Sequence, residues 1–213
     1  MRLYYDFHIH TALSPCGHRD MSPANIVNMA LLKGLDVIAI SDHNAISNCS
    51  PCMEYAKGKD IIVLPGIEVQ TKEDVHILCL FKDINLAMEF DLIVGKSLIL
   101  KNNPDYFGRQ FIFDIDSNII GEDERLLISS SDLNINQVFH IVKDLDGVAI
   151  PAHIDKRNFS MISNLGFIPK EPRFSTLEIS KHCNLEEFIR ANPYLKGYRF
   201  IKNSDAHYLG DIS

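Results

Sequence analysis

The stretch FHIHTAL, residues 7–13, sets two imidazoles one residue apart in an apolar run near the start of the chain. In an extended strand side chains alternate, so His8 and His10 share one side while Phe7 and Ile9 share the other. Two neutral imidazoles held side by side make half of a metal site. A pair of this kind alone is more often two solvated edge-strand histidines, so its meaning depends on what the rest of the chain supplies.

Outward from this pair, apolar runs of strand length alternate with helical patterns. LYYDFHI leads into SPANIVNMALLKGLD, where Ser22 suits an N-cap, Pro23 the first helical position and Gly34 the stop. VIAIS (37–41), a short helix near 51–57, IIVLPGIEV (61–69), VHILCLF (75–81) and a helix around 84–95 follow. That rhythm predicts βα repetition and an α/β fold.

From 98 to 131 the pattern changes. RQFIFDIDSNIIGEDERLLI places a polar turn, Asp116 to Asn118, between two apolar segments, which predicts a hairpin-like insertion, read as a lid that carries substrate specificity. Alternation then resumes with the helix in NINQVFHIVKDLDG, strand VAIPAHI (148–154), a helix near 158–164, strand STLEIS (175–180), helix NLEEFIRAN and strand YRFIKNSDAH (198–207). No repeat or low-complexity linker interrupts it, and 213 residues suit one domain, residues 1–213. The chain stops six residues after His207 without a closing helix, an ending that a fragment of a longer protein would also show.

Composition narrows the function. With 21 basic and 28 acidic residues, a net charge of -7 and no Lys/Arg-rich block, strong nucleic-acid binding is not expected, whereas a small phosphorylated or nucleotide substrate is compatible. MRLYYDFHIH has neither a signal nor a transit pattern, and no apolar run reaches the ~20 residues of a membrane span. The five cysteines, Cys16, Cys49, Cys52, Cys79 and Cys183, form no disulfide framework and suit a reducing compartment. Cys49 and Cys52 form a CxxC with no second pair at zinc-ribbon spacing, which favours a structural role. A cytoplasmic enzyme with no membrane partner is the expectation.

The histidines fall into place on this frame. His43 follows VIAISD, Glu68 lies in LPGIEV, His76 begins VHILCLF, His153 ends VAIPAH, and Asp205 and His207 end YRFIKNSDAH. A barrel gathers the C-terminal ends of its parallel strands around one mouth, where residues far apart in sequence converge. His140, mid-helix, and His182, in the polar KHCN, stand apart. The other seven of the nine histidines, with Glu68 and Asp205, form a constellation that random core placement explains poorly.

The segments FHIHTALSPCGHRDMSP, AISDHN, PGIEV, VHIL, PAHID and NSDAH together resemble, in order, the motif series of the PHP (polymerase and histidinol phosphatase) family of metal-dependent phosphoesterases. The resemblance runs from residue 6 to 208. It implies a distorted (β/α)7 TIM-like barrel with up to three divalent ions at its mouth. By matched position, His8, His10, Glu68 and Asp205 would hold the first ion. Glu68 would bridge to a second held by His76 and His153, and His18, His43 and His207 would hold the third. His18 is the residue four before Ser22, and Asp20 competes with it.

These ligand types suit zinc, manganese or iron(II), whereas magnesium or calcium would call for mostly oxygen ligands. Seven neutral imidazoles and two carboxylates around three divalent ions leave about four surplus positive charges, which favours an anionic substrate. Two ions about 3.5–4 Å apart can share a hydroxide, here bridged by Glu68, that attacks a phosphate ester without a covalent enzyme intermediate. Asp6, Asp42 and Asp155 neighbour ligand positions and would orient imidazoles from behind. Arg157, following PAHIDK, and Arg19 would clamp phosphate.

The leading expectation is hydrolysis of a small-molecule phosphomonoester. Alternatives are a phosphoesterase acting on nucleotides or on oligonucleotide 3'/5' ends, an amidohydrolase-like enzyme cleaving C–N bonds, and a non-enzymatic PHP scaffold. The DHN, GIEV and SDAH set fits PHP better than the amidohydrolases, and competent ligands at every matched position argue against a scaffold.

Overall fold

The computed structural model describes residues 2–213. Its first five strands in sheet order are β1 (Tyr5–Ile9), β2 (Val37–Ile40), β3 (Ile62–Gln70), β4 (His76–Leu80) and, after the excursion, β7 (Val148–Pro151). Helices α1 (Pro23–Leu32) and α2 (Cys49–Ala56) separate the first three strands, and β1, β2 and β3 run parallel. Gly34, at φ 74° just past α1, adopts the left-handed conformation that ends the helix.

The expected βα rhythm fails between β3 and β4. These strands pair antiparallel, Gly66 opposite Leu80 and Gln70 opposite His76, because residues 71–75 are too few for the dozen or more that a parallel crossover needs. β4 also runs against β7, so β7 points the same way as β1–β3.

Helices α3 (Ile84–Ser97) and α4 (Pro104–Phe107) open the excursion, and β5 (Phe111–Phe113) pairs antiparallel with β6 (Ile119–Glu122). Asn48 donates from Nδ2 to the Phe111 carbonyl at 3.0 Å and accepts from the Phe113 N–H at 3.0 Å, and the Phe111 N–H donates to the Ala12 carbonyl at 2.9 Å. These bonds fasten β5 to the loops beside β1 and α2. Of residues 98–131 only Ile128 lines the main cleft.

Helix α5 (Ile135–Asp144) is set by a capping box in which Asn134 and Gln137 bond reciprocally, and it buries Ile135, Val138 and Val142 on one face. After β7 come α6 (Met161–Leu165), β8 (Thr176–Ser180), α7 (Leu185–Ala191) and β9 (Arg199–Asn203). β8 and β9 form a parallel pair that is tied to the larger sheet at both margins. The Ile154 N–H donates to the Glu178 carbonyl at 2.9 Å on one side, and His10 and Ala206 bond through their backbones at 3.0 Å on the other. The apolar core, including Ile38, Ile40, Ile67, Ile77, Phe90 and Phe174, lies between the strands and the helices. No helix among the described residues is long and apolar enough to cross a membrane.

Candidate metal centre

The parallel strands deliver their C-terminal ends to one mouth. His8 lies in β1 and His10 just past it, His43 follows β2, His153 follows β7, and Asp205 and His207 follow β9. β4 is reversed, so its first residue, His76, arrives at the same mouth. Two of these positions, His153 at φ 29° and Asp205 at φ 51°, hold a left-handed backbone uncommon for non-glycine residues. The fold over-determines where their side chains go.

Glu68 is the hub, buried to 1% exposure in β3. Its Oε1 lies 3.2 Å from His8 Nε2, 3.0 Å from His76 Nδ1 and 3.1 Å from His153 Nε2. Its Oε2 lies 3.0 Å from His43 Nδ1 and 3.4 Å from His10 Nε2. Asp205 Oδ1 closes the other side, 3.5 Å from His8 Nε2 and 3.2 Å from His10 Nε2. Burial opposes the charge on both carboxylates, but the imidazoles around them outweigh it and hold both acids well below the usual range.

Three groups orient the rings from behind. Glu178 accepts from His8 Nδ1–H, 2.9 Å from Oε1, and from the His153 N–H at 2.9 Å, which leaves His8 Nε2 free to face Glu68. Ser14 Oγ donates to Asp42 at 2.7 Å, so its lone pairs accept the His43 N–H at 3.0 Å and His10 Nδ1–H at 3.1 Å. His207 Nδ1–H donates to the carbonyl of Asp205 at 2.9 Å. With a cation bound, the outer nitrogen would keep the proton and the inner one would offer a lone pair.

Divalent cations fit this donor set. His8 Nε2 and His10 Nε2 face each other at 3.2 Å. His43 Nδ1, Glu68 Oε2, both ring nitrogens of His76 and His153 Nδ1 are buried without a hydrogen-bond partner among the described residues. Orphaned buried polar atoms cost roughly 1–3 kcal/mol each, and His43 Nδ1 and His76 Nδ1, both 3.0 Å from Glu68 oxygens, are placed as ligand atoms around that carboxylate would be.

The structure does not bring every expected residue to the cluster. The His18 N–H donates to the His207 carbonyl at 2.8 Å, so the backbone of His18, not its ring, meets the cluster. The ring lies outside, 46% exposed, near Tyr208 and 3.4 Å from Asp20, which is itself 62% exposed. The donor atom that joins His10, His43 and His207 is Cys16 Sγ, all four lying within 4.8 Å of one another. Packing pushes the Cys16 thiol up, and the imidazoles of His43 and His207 outweigh that and bring it down to about 7.

Of the three aspartates expected behind the ligands, only Asp42 stands there, at one remove. Asp42 serves His10 through Ser14. Asp6 accepts the Ser204 N–H at 3.1 Å and the Ser213 N–H at 3.3 Å, and Asp155 accepts from Ser180 N and Oγ at 2.7 and 2.6 Å. Neither touches a ligand ring. The ring-orienting carboxylate, Glu178, escaped the sequence reading. Its signal was a lone acid in the apolar strand TLEIS, facing opposite to Leu177 and Ile179.

Above the cluster lies a cleft of about 540 Å³ whose lining includes Cys16, His76, Lys156, Arg157, Phe159 and Ile128. Arg157 is at the mouth as expected, whereas Arg19 is not among the lining residues. Lys156, which sequence reading passed over, pairs with Asp205, and His76 stacks on Phe159 at 4.8 Å.

The sequence of residues 6–154 matches the family model of the PHP domain. The chain belongs to the PHP domain family. This PHP domain is 27% identical over 162 residues, 76% of its length, to the uncharacterized protein MJ0043 of Methanocaldococcus jannaschii, of which the match covers 18%. Among solved structures, its fold is similar to the lesion-specific endonuclease EndoQ of Pyrococcus furiosus, with a TM-score of 0.70, 21% identity and 98% of this chain covered. It is also similar to a candidate metal-dependent phosphoesterase from Bifidobacterium adolescentis, with a TM-score of 0.66, 16% identity, and 97% of this chain and 88% of that one covered. The chain spans about half the endonuclease, 49% of its length.

Proposed function

We propose that this PHP domain hydrolyses phosphate esters, with a small phosphomonoester as substrate, at a centre of up to three divalent ions, zinc, manganese or iron(II). The observation that carries this is Glu68: one buried carboxylate with five imidazole nitrogens between 3.0 and 3.4 Å from its oxygens. No apolar core needs such an arrangement, and buried charge is tolerated only when compensated. The same reading takes β1, β2, β3, β4, β7, β8 and β9 as the seven strands of one distorted (β/α)7 barrel.

His8, His10, Glu68 and Asp205 would hold one ion, Glu68, His76 and His153 a second, and His43 and His207 a third. Bound there, the ions supply Lewis-acid polarisation of a phosphoryl oxygen and acidify water. The chain supplies the rest: Glu178 and Ser14 fix the tautomers of His8 and His10, the buried floor excludes bulk water, and Arg157 and Lys156 draw an anionic ester to the mouth despite the net charge of -7.

A second substrate class, a nucleic-acid phosphodiester, is favoured by the likeness to EndoQ along nearly the whole chain. Assays with p-nitrophenyl phosphate and bis(p-nitrophenyl) phosphate, before and after chelation and on reloading with Zn²⁺, Mn²⁺ or Fe²⁺, test both. Chelator-sensitive hydrolysis of the monoester, absent in His10→Ala, is the expected result. Turnover of the diester alone would favour the nucleic-acid class, hydrolysis that survives chelation would refute the role of the metal centre, and no hydrolysis of either ester would refute phosphoesterase activity.

A further inference from the structure

We propose that Cys16 binds metal through its thiolate at the third position, beside His43 and His207, making this corner of the centre selective for a thiophilic ion such as zinc. The inference rests on the metal-centre reading above and adds to it a sulfur ligand. Cys16 Sγ and donor nitrogens of His10, His43 and His207 lie within 4.8 Å of one another. Independently of the cysteine, His43 is held beside Glu68, its Nδ1 3.0 Å from Glu68 Oε2 and buried with no hydrogen-bond partner among the described residues.

The loop that carries Cys16 is held in place. Asp42 accepts the Thr11 N–H, the Thr11 hydroxyl and the Ser14 hydroxyl, each at 2.7 Å. The Gly17 N–H donates to the Ser14 carbonyl at 2.8 Å, and the His18 N–H pins the far side to His207. A Cβ on Gly17 would collide with the Thr11 carbonyl oxygen, so glycine is required for the chain to turn this tightly. These constraints set the thiol of Cys16, an exposed residue at the cleft, beside His43 and His207 and leave the ring of His18 outside.

Sulfur changes what the position selects. Thiolate with two imidazoles favours zinc over manganese or magnesium, which prefer oxygen donors. A thiolate also removes one unit of the site's surplus positive charge.

Cobalt(II) exchanged into the purified protein reads the bond directly. A thiolate-to-cobalt charge-transfer band in the near ultraviolet is expected, absent in Cys16→Ser and retained in His18→Ala. Cys16→Asp, which offers oxygen in place of sulfur, should keep the cobalt equivalents yet lose the band, which separates ligand loss from misfolding. Zinc loading should slow iodoacetamide alkylation of Cys16 at least ~10-fold, while the partly exposed Cys183 serves as internal control. Full cobalt loading without the band, or Cys16 alkylation unaffected by zinc, would overturn the proposal and leave the metal centre standing. No cobalt uptake at all would overturn both. The band without hydrolysis of any ester would uphold the thiolate and refute the assigned activity.

Discussion

Two cysteine-bearing segments of this PHP domain make opposite use of the same side chain. In α2, Cys49 and Cys52 are spaced like a metal or redox motif, yet both are fully buried in the apolar core. Cys49 donates its S–H to the Ile40 and Gly66 carbonyls at 3.4 and 3.5 Å, and burial pushes both thiols well up. In the loop after β1, Cys16 belongs to no spacing pattern, and it sits beside His10, His43 and His207, the last two of which bring its thiol down to about 7. Chemistry follows what converges on the sulfur in space; proximity along the chain decides little.

The strongest way to break this comparison is to remove the charge on which the cluster converges. Glu68→Gln is expected to lower ester hydrolysis at least ~10³-fold, since it withdraws the acceptor facing five imidazoles and several kcal/mol of Lewis-acid catalysis depend on it. Steady-state kinetics on metal-reloaded enzyme measure this, and near-normal turnover would mean the hub is structural.

One step back from the hub, Glu178→Gln should weaken metal affinity or activity ~10–100-fold. Its amide group cannot accept from His8, Asn203 and the His153 N–H together, as the carboxylate does. Competitive chelation titration reads the affinity. An unchanged value would place the orientation of His8 elsewhere.

These residues also mark how much was legible in the sequence. Alternation along β1 put His8 and His10 on one side, and strand ends located His43, His153, Asp205 and His207, because strand period and direction are local properties. That β4 runs backwards was not, although the short 71–75 link carries that signal. Cys16 and Glu178 were missed because neither has a ligand-like spacing: one depends on a loop closed by Gly17 and Asp42, the other on a strand whose Glu178 lies 170 residues from His8. His18 misled for the same reason, since counting residues locates a backbone and leaves a side chain's direction open.

A pH profile sharpens the contrast between thiols. In metal-free protein, alkylation of Cys16 should rise with pH and be half-complete in its titration near pH 7, because the thiolate is the nucleophile. Cys183, raised by burial and by Asp155, should titrate above the usual thiol range, and Cys49 and Cys52 should stay unlabelled until the protein unfolds. Peptide mapping of the labelled sites checks the order, and Cys49 reacting before Cys16 would invert it.

The smallest effect belongs to α2. Cys52→Ala should cost about 1 kcal/mol of stability, the loss of one small buried group, and leave metal content and hydrolysis unchanged. Denaturant titration together with the ester assay checks both, and lost activity would give the CxxC a role its burial denies it.

The most direct test of the central claim is metal content by elemental analysis, measured on the purified, metal-reloaded protein and on Glu68→Ala side by side. The account predicts about two to three divalent ions per chain in the first and a clear deficit in the second. Equal content in both, or none in either, would contradict it.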